Sequence, residues 1–182
     1  MNARLIIPPA TMPVSIESAR LAARTSGTAL DVELRGKVEG ITEEAEHLTG
    51  RAFIEQTWQV VLDAFPAGRA CAIRLTPARL IAVDRVTFYD VDGVQRILDP
   101  QDYMADTASE PGFILPAPGR AWPATAPRVN AVEIQYRCGY GKDESSVPAA
   151  IKDYILGMLE NHYYPNPNAQ HLARRLDRAT VY

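Results

Sequence analysis

Between residues 28 and 65 the chain changes its hydrophobic period once, abruptly, and that switch constrains the fold more than any other feature. From Thr28 the apolar residues Leu30, Leu34, Val38, Ile41, Ala45 and Leu48 recur in steps of four and three, which lays one apolar seam along a helix. Thr28 with Asp31 three residues later has the form of a capping box, and Gly50 stands where a left-handed residue closes a last turn. Beyond it, from Phe53 to Phe65, the residues are β-branched and aromatic. Trp58, Val60 and Leu62 fall on one face of a strand, and Thr57, Gln59 and Val61 on the other. A long helix over 28–49 therefore feeds directly into a sheet.

The same reading organises the rest. Met1 to Met12 is expected to be extended and loosely held, followed by a short helix capped by Ser15 and running to about Arg24, with Ile16, Ala19, Leu21 and Ala22 inward. Short strands are expected over Cys71–Leu75, Leu80–Phe88, Val94–Leu98, from Asp102-Tyr103, over Phe113–Leu115 and over Val129–Tyr136. Asp92-Gly93 turns the second into the third. Pro148 suits a first helical turn, and Ile151, Ile155, Met158, Leu159 and His162, flanked by Tyr154, predict a closing helix over 147–164 whose stripe packs on the long helix.

At 182 residues such a chain buries roughly 70% of its unfolded surface and needs no staple. Cys71 and Cys138 lie far apart without a C-x-x-C partner, so both are expected reduced. No apolar run reaches the ~20 residues that span a bilayer, and no signal peptide opens the chain, so the expectation is a cytoplasmic start without membrane attachment. A net charge of -3 opposes a broad nucleic-acid grip. The charge is unevenly spread: Glu39, Glu43, Glu44 and Glu46 line the long helix, whereas Arg174, Arg175 and Arg178 make the end basic.

Nothing in the sequence carries catalysis, and no cofactor or metal is expected. His47, His162 and His171 have no metal-ligand spacing. The G-x-S-x-G elbow and the P-loop are both missing, and Gly139-Tyr140-Gly141-Lys142 lacks the spacing and the hydroxyl that a phosphate loop needs. Asp90 and Asp92 begin like a calcium loop, but Gln101 stands where its glutamate belongs.

Ala45, Leu48-Thr49-Gly50-Arg51, Phe53-Ile54 and Gln56-Thr57-Trp58, followed by Leu62-Asp63-Ala64-Phe65-Pro66, together resemble the hallmark of the phage head-tail connector family. These are the adaptor proteins of tailed bacteriophages and of prophage-like elements including gene transfer agents. Further matches follow in the family's order. They are Pro13 with Ser15-Ile16-Glu17 and Ala19-Arg20, Ile73-Arg74-Leu75, Tyr89-Asp90 with Asp92-Gly93, Asp102-Tyr103, Trp122-Pro123, Cys138 to Gly141, and Val147-Pro148 through Tyr163-Tyr164.

The fold class read from all this is α+β: a small helical bundle with an inserted, mostly antiparallel β region over 53–137 and a C-terminal arm. Residues 1–165 are expected as one connector domain, helical over 13–50 and 146–165, and 166–182 as a tail. The resemblance implies a structural virion protein of the neck, assembled in the bacterial host cytoplasm. It would form a homo-oligomeric, dodecameric ring under the portal protein, extend a channel through which DNA passes without specific binding, and dock the stopper or tail-terminator proteins. In the tail, Leu172, Arg174, Arg175, Leu176, Arg178 and Tyr182 are the candidate partner-binding residues, because its leucines have no evident internal partner. Leu48, Thr49, Gly50, Arg51, Gln56, Thr57 and Trp58 are assigned to structure. The alternatives are a neck protein that contacts DNA through that basic tail, and a small ligand-binding domain.

Overall fold

The computed structural model describes residues 2–68, 71–166 and Leu176. The chain divides into two compact units, one of residues 1–8 and 55–139, the other of residues 9–54 and 140–182. Strands fill the first and helices the second, which is the α+β class read from the sequence.

The helical unit is built from α1 (Ile16–Ala22), α2 (Asp31–Thr49) and α3 (Ala149–Tyr163). Ser15 caps α1 as expected, its Oγ accepting the Ser18 amide at 3.1 Å. The α1 face needs one correction: Ala19 and Ala23 are buried, but Leu21 points to solvent, because two residues from each of them it stands on the opposite side of the helix. The long helix starts later than its capping signal. Leu30 occupies the cap position without a side-chain bond, and Asp31 is instead held by Arg20, whose guanidinium donates to both carboxylate oxygens at 2.8 and 2.6 Å. That bond is the main cause of the lowered Asp31 pKa. Leu34, Val38 and Ala45 of the seam are buried and Ile41 is half-buried, while Leu30 and Leu48 at its ends are exposed.

Pro148 opens α3, which needs no amide there. Ile151, Tyr154, Ile155 and Leu159 join the α2 residues and Phe53 and Ile54 in one apolar core. His162, expected on the stripe, lies outside it and is exposed, its ring edge-on to Tyr163. Tyr163 ties the two long helices together, its hydroxyl donating to Glu33 at 2.8 Å.

The β unit contains a five-stranded sheet in the order β1-β2-β8-β4-β5, every neighbouring pair antiparallel. Its strands are β1 (Asn2–Ile7), β2 (Gln56–Leu62), β4 (Leu80–Tyr89), β5 (Gln95–Ile97) and β8 (Val132–Cys138). A three-stranded sheet joins β3 (Ile73–Arg74), β7 (Phe113–Pro116) and β6 (Tyr103–Asp106). The amino terminus corrects the expectation of a loose segment. Residues 2–7 are an edge strand against β2, with Leu5 opposite Trp58 and Arg4 opposite Gln59.

One face of the large sheet is apolar and buried, with Val60, Val86, Ile134 and Tyr136 in adjoining strands. Tyr136 is fully buried and its hydroxyl donates to the Thr76 carbonyl. Burial therefore pushes its phenol far above the ordinary value. The other face is polar and cross-linked: Arg4 donates to Gln59, which donates to Glu133 at 2.6 Å, and Arg137 reaches both Asp84 and Glu55. Trp122 covers an end of this unit, stacked on Phe65 at 4.9 Å between ring centres, with its indole N–H on the Cys71 carbonyl.

Candidate interaction surfaces

The residues of the sequence motif are mostly spent on backbone geometry. Gly50 has φ 64°, a left-handed value that lets the Arg51 amide turn back onto the Glu46 carbonyl at 3.2 Å. Thr49 Oγ1 donates to the Ala45 carbonyl at 2.8 Å and accepts the Arg51 amide at 3.3 Å. The Glu46 carboxylate then takes the Phe53 amide at 2.6 Å, so the turn is tied at both ends. Phe53 is fully buried, and its carbonyl accepts the Tyr140 amide. In the β unit, the Trp58 indole donates to the Gln56 side chain at 3.2 Å, and Thr57 and Gln56 are buried. Arg51 is also buried. Of the motif's side chains between Leu48 and Trp58, Leu48 is the exposed one.

The tail residues divide. Leu176 is buried in the helical core with Leu159, Phe53 and Ile54, which corrects, for that leucine, the expectation of no internal partner. Leu172, Arg174, Arg175, Arg178 and Tyr182 lie outside the described residues. Along α2, Glu39, Glu43 and Glu44 are exposed, whereas Glu46 is half-buried and turned into the junction.

No group of histidine, cysteine and acidic side chains among the described residues could hold a metal ion, and no described helix is long and apolar enough to cross a membrane. Cys71 and Cys138 are not joined to each other; Cys71 is half-buried, and Cys138 is buried with its thiol toward the Gln56 carbonyl. The Asp90 carboxylate, which opened the calcium-like stretch, is used within its own turn. It accepts the amides of Asp92 and Val94 and the Arg96 guanidinium, and this guanidinium bond is the largest cause of its lowered pKa. A shallow groove of about 200 Å³ runs beside Ser15, Ser18 and Lys152 in the helical unit, open to solvent.

Exposed aliphatic side chains lie on the helical unit at Leu21, Leu30, Val32 and Leu48, and six more lie at the two edges of the large sheet, on β1 and on the hairpin from β4 to β5. The sequence did not single out these six, because only the strand order shows that they stand at edges.

The sequence matches no protein-family model and no curated protein. The fold matches solved structures along its whole length. It is similar to a chain in the neck of an empty gene transfer agent particle computed with C6 symmetry, at 18% identity and a TM-score of 0.79, over 100% of this chain and 96% of that one. It is similar to a chain in the virion of a native gene transfer agent particle, at 17% identity and a TM-score of 0.80, with the same coverage. A chain in the neck of a native particle computed with C12 symmetry matches at 19% identity and a TM-score of 0.69, again over 100% and 96%.

Proposed function

From a fold shared end to end with chains of gene transfer agent particles, two of them neck structures, we infer that this protein is a structural component of a virion neck. It acts as a head-tail connector. The observation that carries the reading is the full-length correspondence, 100% of this chain on 96% of the neck chains. The motif from Leu48 to Trp58 supports it from the side of the sequence. On this reading copies assemble as a closed ring, in keeping with the C6 and C12 symmetries of the matched necks. The ring sits under the portal, continues the DNA channel and offers its far side to a stopper or tail-terminator protein. The work done is assembly rather than turnover, and a net charge of -3 suits a channel along which DNA slides without being held.

Removing the coding sequence from producing cells tests this. The expected result is filled or partly filled heads without attached tails, restored when the full chain is supplied from elsewhere. Complete tailed particles formed without the chain would overturn it.

A further inference from the structure

We propose that neighbouring copies meet through the two open edges of the five-stranded sheet, the β1 edge of one copy packing on the β4–β5 hairpin of the next. The proposal rests on the ring reading above and names its contact surface.

Leu5, Ile6 and Ile7 on β1, and Val91, Val94 and Ile97 at the hairpin, are between 41% and 68% exposed. Lysine and proline, common guards of open edges, are absent within β1; Arg4 and the bulge between Leu5 and Ile7 oppose a continued ladder but leave the aliphatic side chains uncovered. The hairpin is held rigid before any partner arrives, since the Asp90 carboxylate fixes two backbone amides and Arg96. Little conformational freedom is then lost on docking.

Charge decides which patch meets which. Arg4 on β1 donates to the neutral Gln59 amide oxygen at 2.9 and 2.6 Å, and among the described residues neither Arg4 nor Asp92 at the hairpin tip has an ion-pair partner. A patch facing its own copy would set Arg4 against Arg4, or Asp92 against Asp92. Unlike patches meeting head to tail put opposite signs together, and a head-to-tail contact is the kind that closes rings.

The join is made by side chains rather than by a shared ladder. A sheet turns about 20–25° per strand, so its four steps accumulate roughly 80–100°, and hydrogen-bonded continuation would repeat that rotation at every copy. Such a chain of copies winds into a filament instead of closing.

The test uses the full chain mixed with portal protein, with ring mass read by light scattering across a concentration series. Ile7→Gln and Ile97→Gln alter exposed side chains and should melt as wild type while raising the concentration needed for ring closure at least tenfold. Arg4→Glu and Asp92→Lys should each weaken closure, and the double variant should recover it, a rescue that mere loosening of β1 could not give. Closure of all variants at the wild-type concentration would overturn the proposal, as would a double variant no better than the singles, or a two-fold dimer through β1. If the wild-type chain itself forms no ring with the portal, the functional reading fails first and this contact with it.

Discussion

Gly112 lies where the small sheet approaches the large one, and replacing it with alanine gives a sharp test of the packing. A Cβ built there would stand 2.5 Å from Leu80 Cβ, 2.8 Å from Leu80 Cδ2 and 2.9 Å from the Asp106 carbonyl oxygen. Carbon atoms rest about 3.5–4.0 Å apart, so relief needs a shift of roughly 1 Å. A new rotamer of Leu80 cannot provide it, because its Cβ moves only with the backbone of β4, which is paired to Cys138. Nor can Gly112 back away freely, since its carbonyl accepts the Leu75 amide at 2.8 Å. Overpacking of this kind costs about 1–3 kcal/mol. For a chain of this length that lowers the melting temperature by about 2–12 °C, at roughly 2–4 °C per kcal/mol. Gly36→Ala and Gly40→Ala supply the contrast. Both glycines are exposed within α2 with nothing within 4 Å of an added Cβ, so each change should raise stability by about 0.5–1 kcal/mol through helix propensity. Thermal melts followed by circular dichroism read all three. A Gly112→Ala variant melting within a degree of wild type would refute the reasoning.

Tyr136→Phe leaves the Thr76 carbonyl without its donor inside the sheet core and should cost about 1–3 kcal/mol in urea unfolding, with an unchanged far-ultraviolet spectrum. Leu176→Ala removes a buried side chain from the helical core and should cost about 2–5 kcal/mol, whereas an uncovered tail leucine would cost almost nothing. Asp31, Asp90, Asp106 and Asp143 all have lowered pKa values. For each of them the unfolded chain binds its proton first as pH falls. Their contribution is therefore complete at neutral pH, begins to fade as the pH approaches the ordinary aspartate value of about 3.9, and is lost as pH falls through the folded values. Melting temperatures should be level near neutrality and drop on the acid side, and a profile flat down to pH 3 would contradict the assignment.

Much of the fold was legible because periodicity reports burial directly. The seam at Leu34, Val38 and Ala45 and the alternation at Val132, Ile134 and Tyr136 each needed a covering layer, and each has one. Turn chemistry was equally plain at Gly50 and at Asp92-Gly93. What escaped was set by long-range pairing. Residues 2–7 become a strand because β2 offers them an edge 50 residues or more away, and no local signal announces that partner. The helix at Thr28 starts late because Arg20, from α1, competes for Asp31. Leu176 looked unpartnered because the helical core that receives it is assembled from three separate stretches of chain. The exposed sheet edges followed only from the strand order, which no local pattern along the chain encodes.

The most direct measurement of the central claim is the mass of the full chain in solution, alone and then with portal protein, by light scattering. The account predicts a small species alone and, with the portal, one large closed complex carrying a fixed number of copies per portal ring. A chain that stays small in both and binds neither portal nor any other particle component would contradict it.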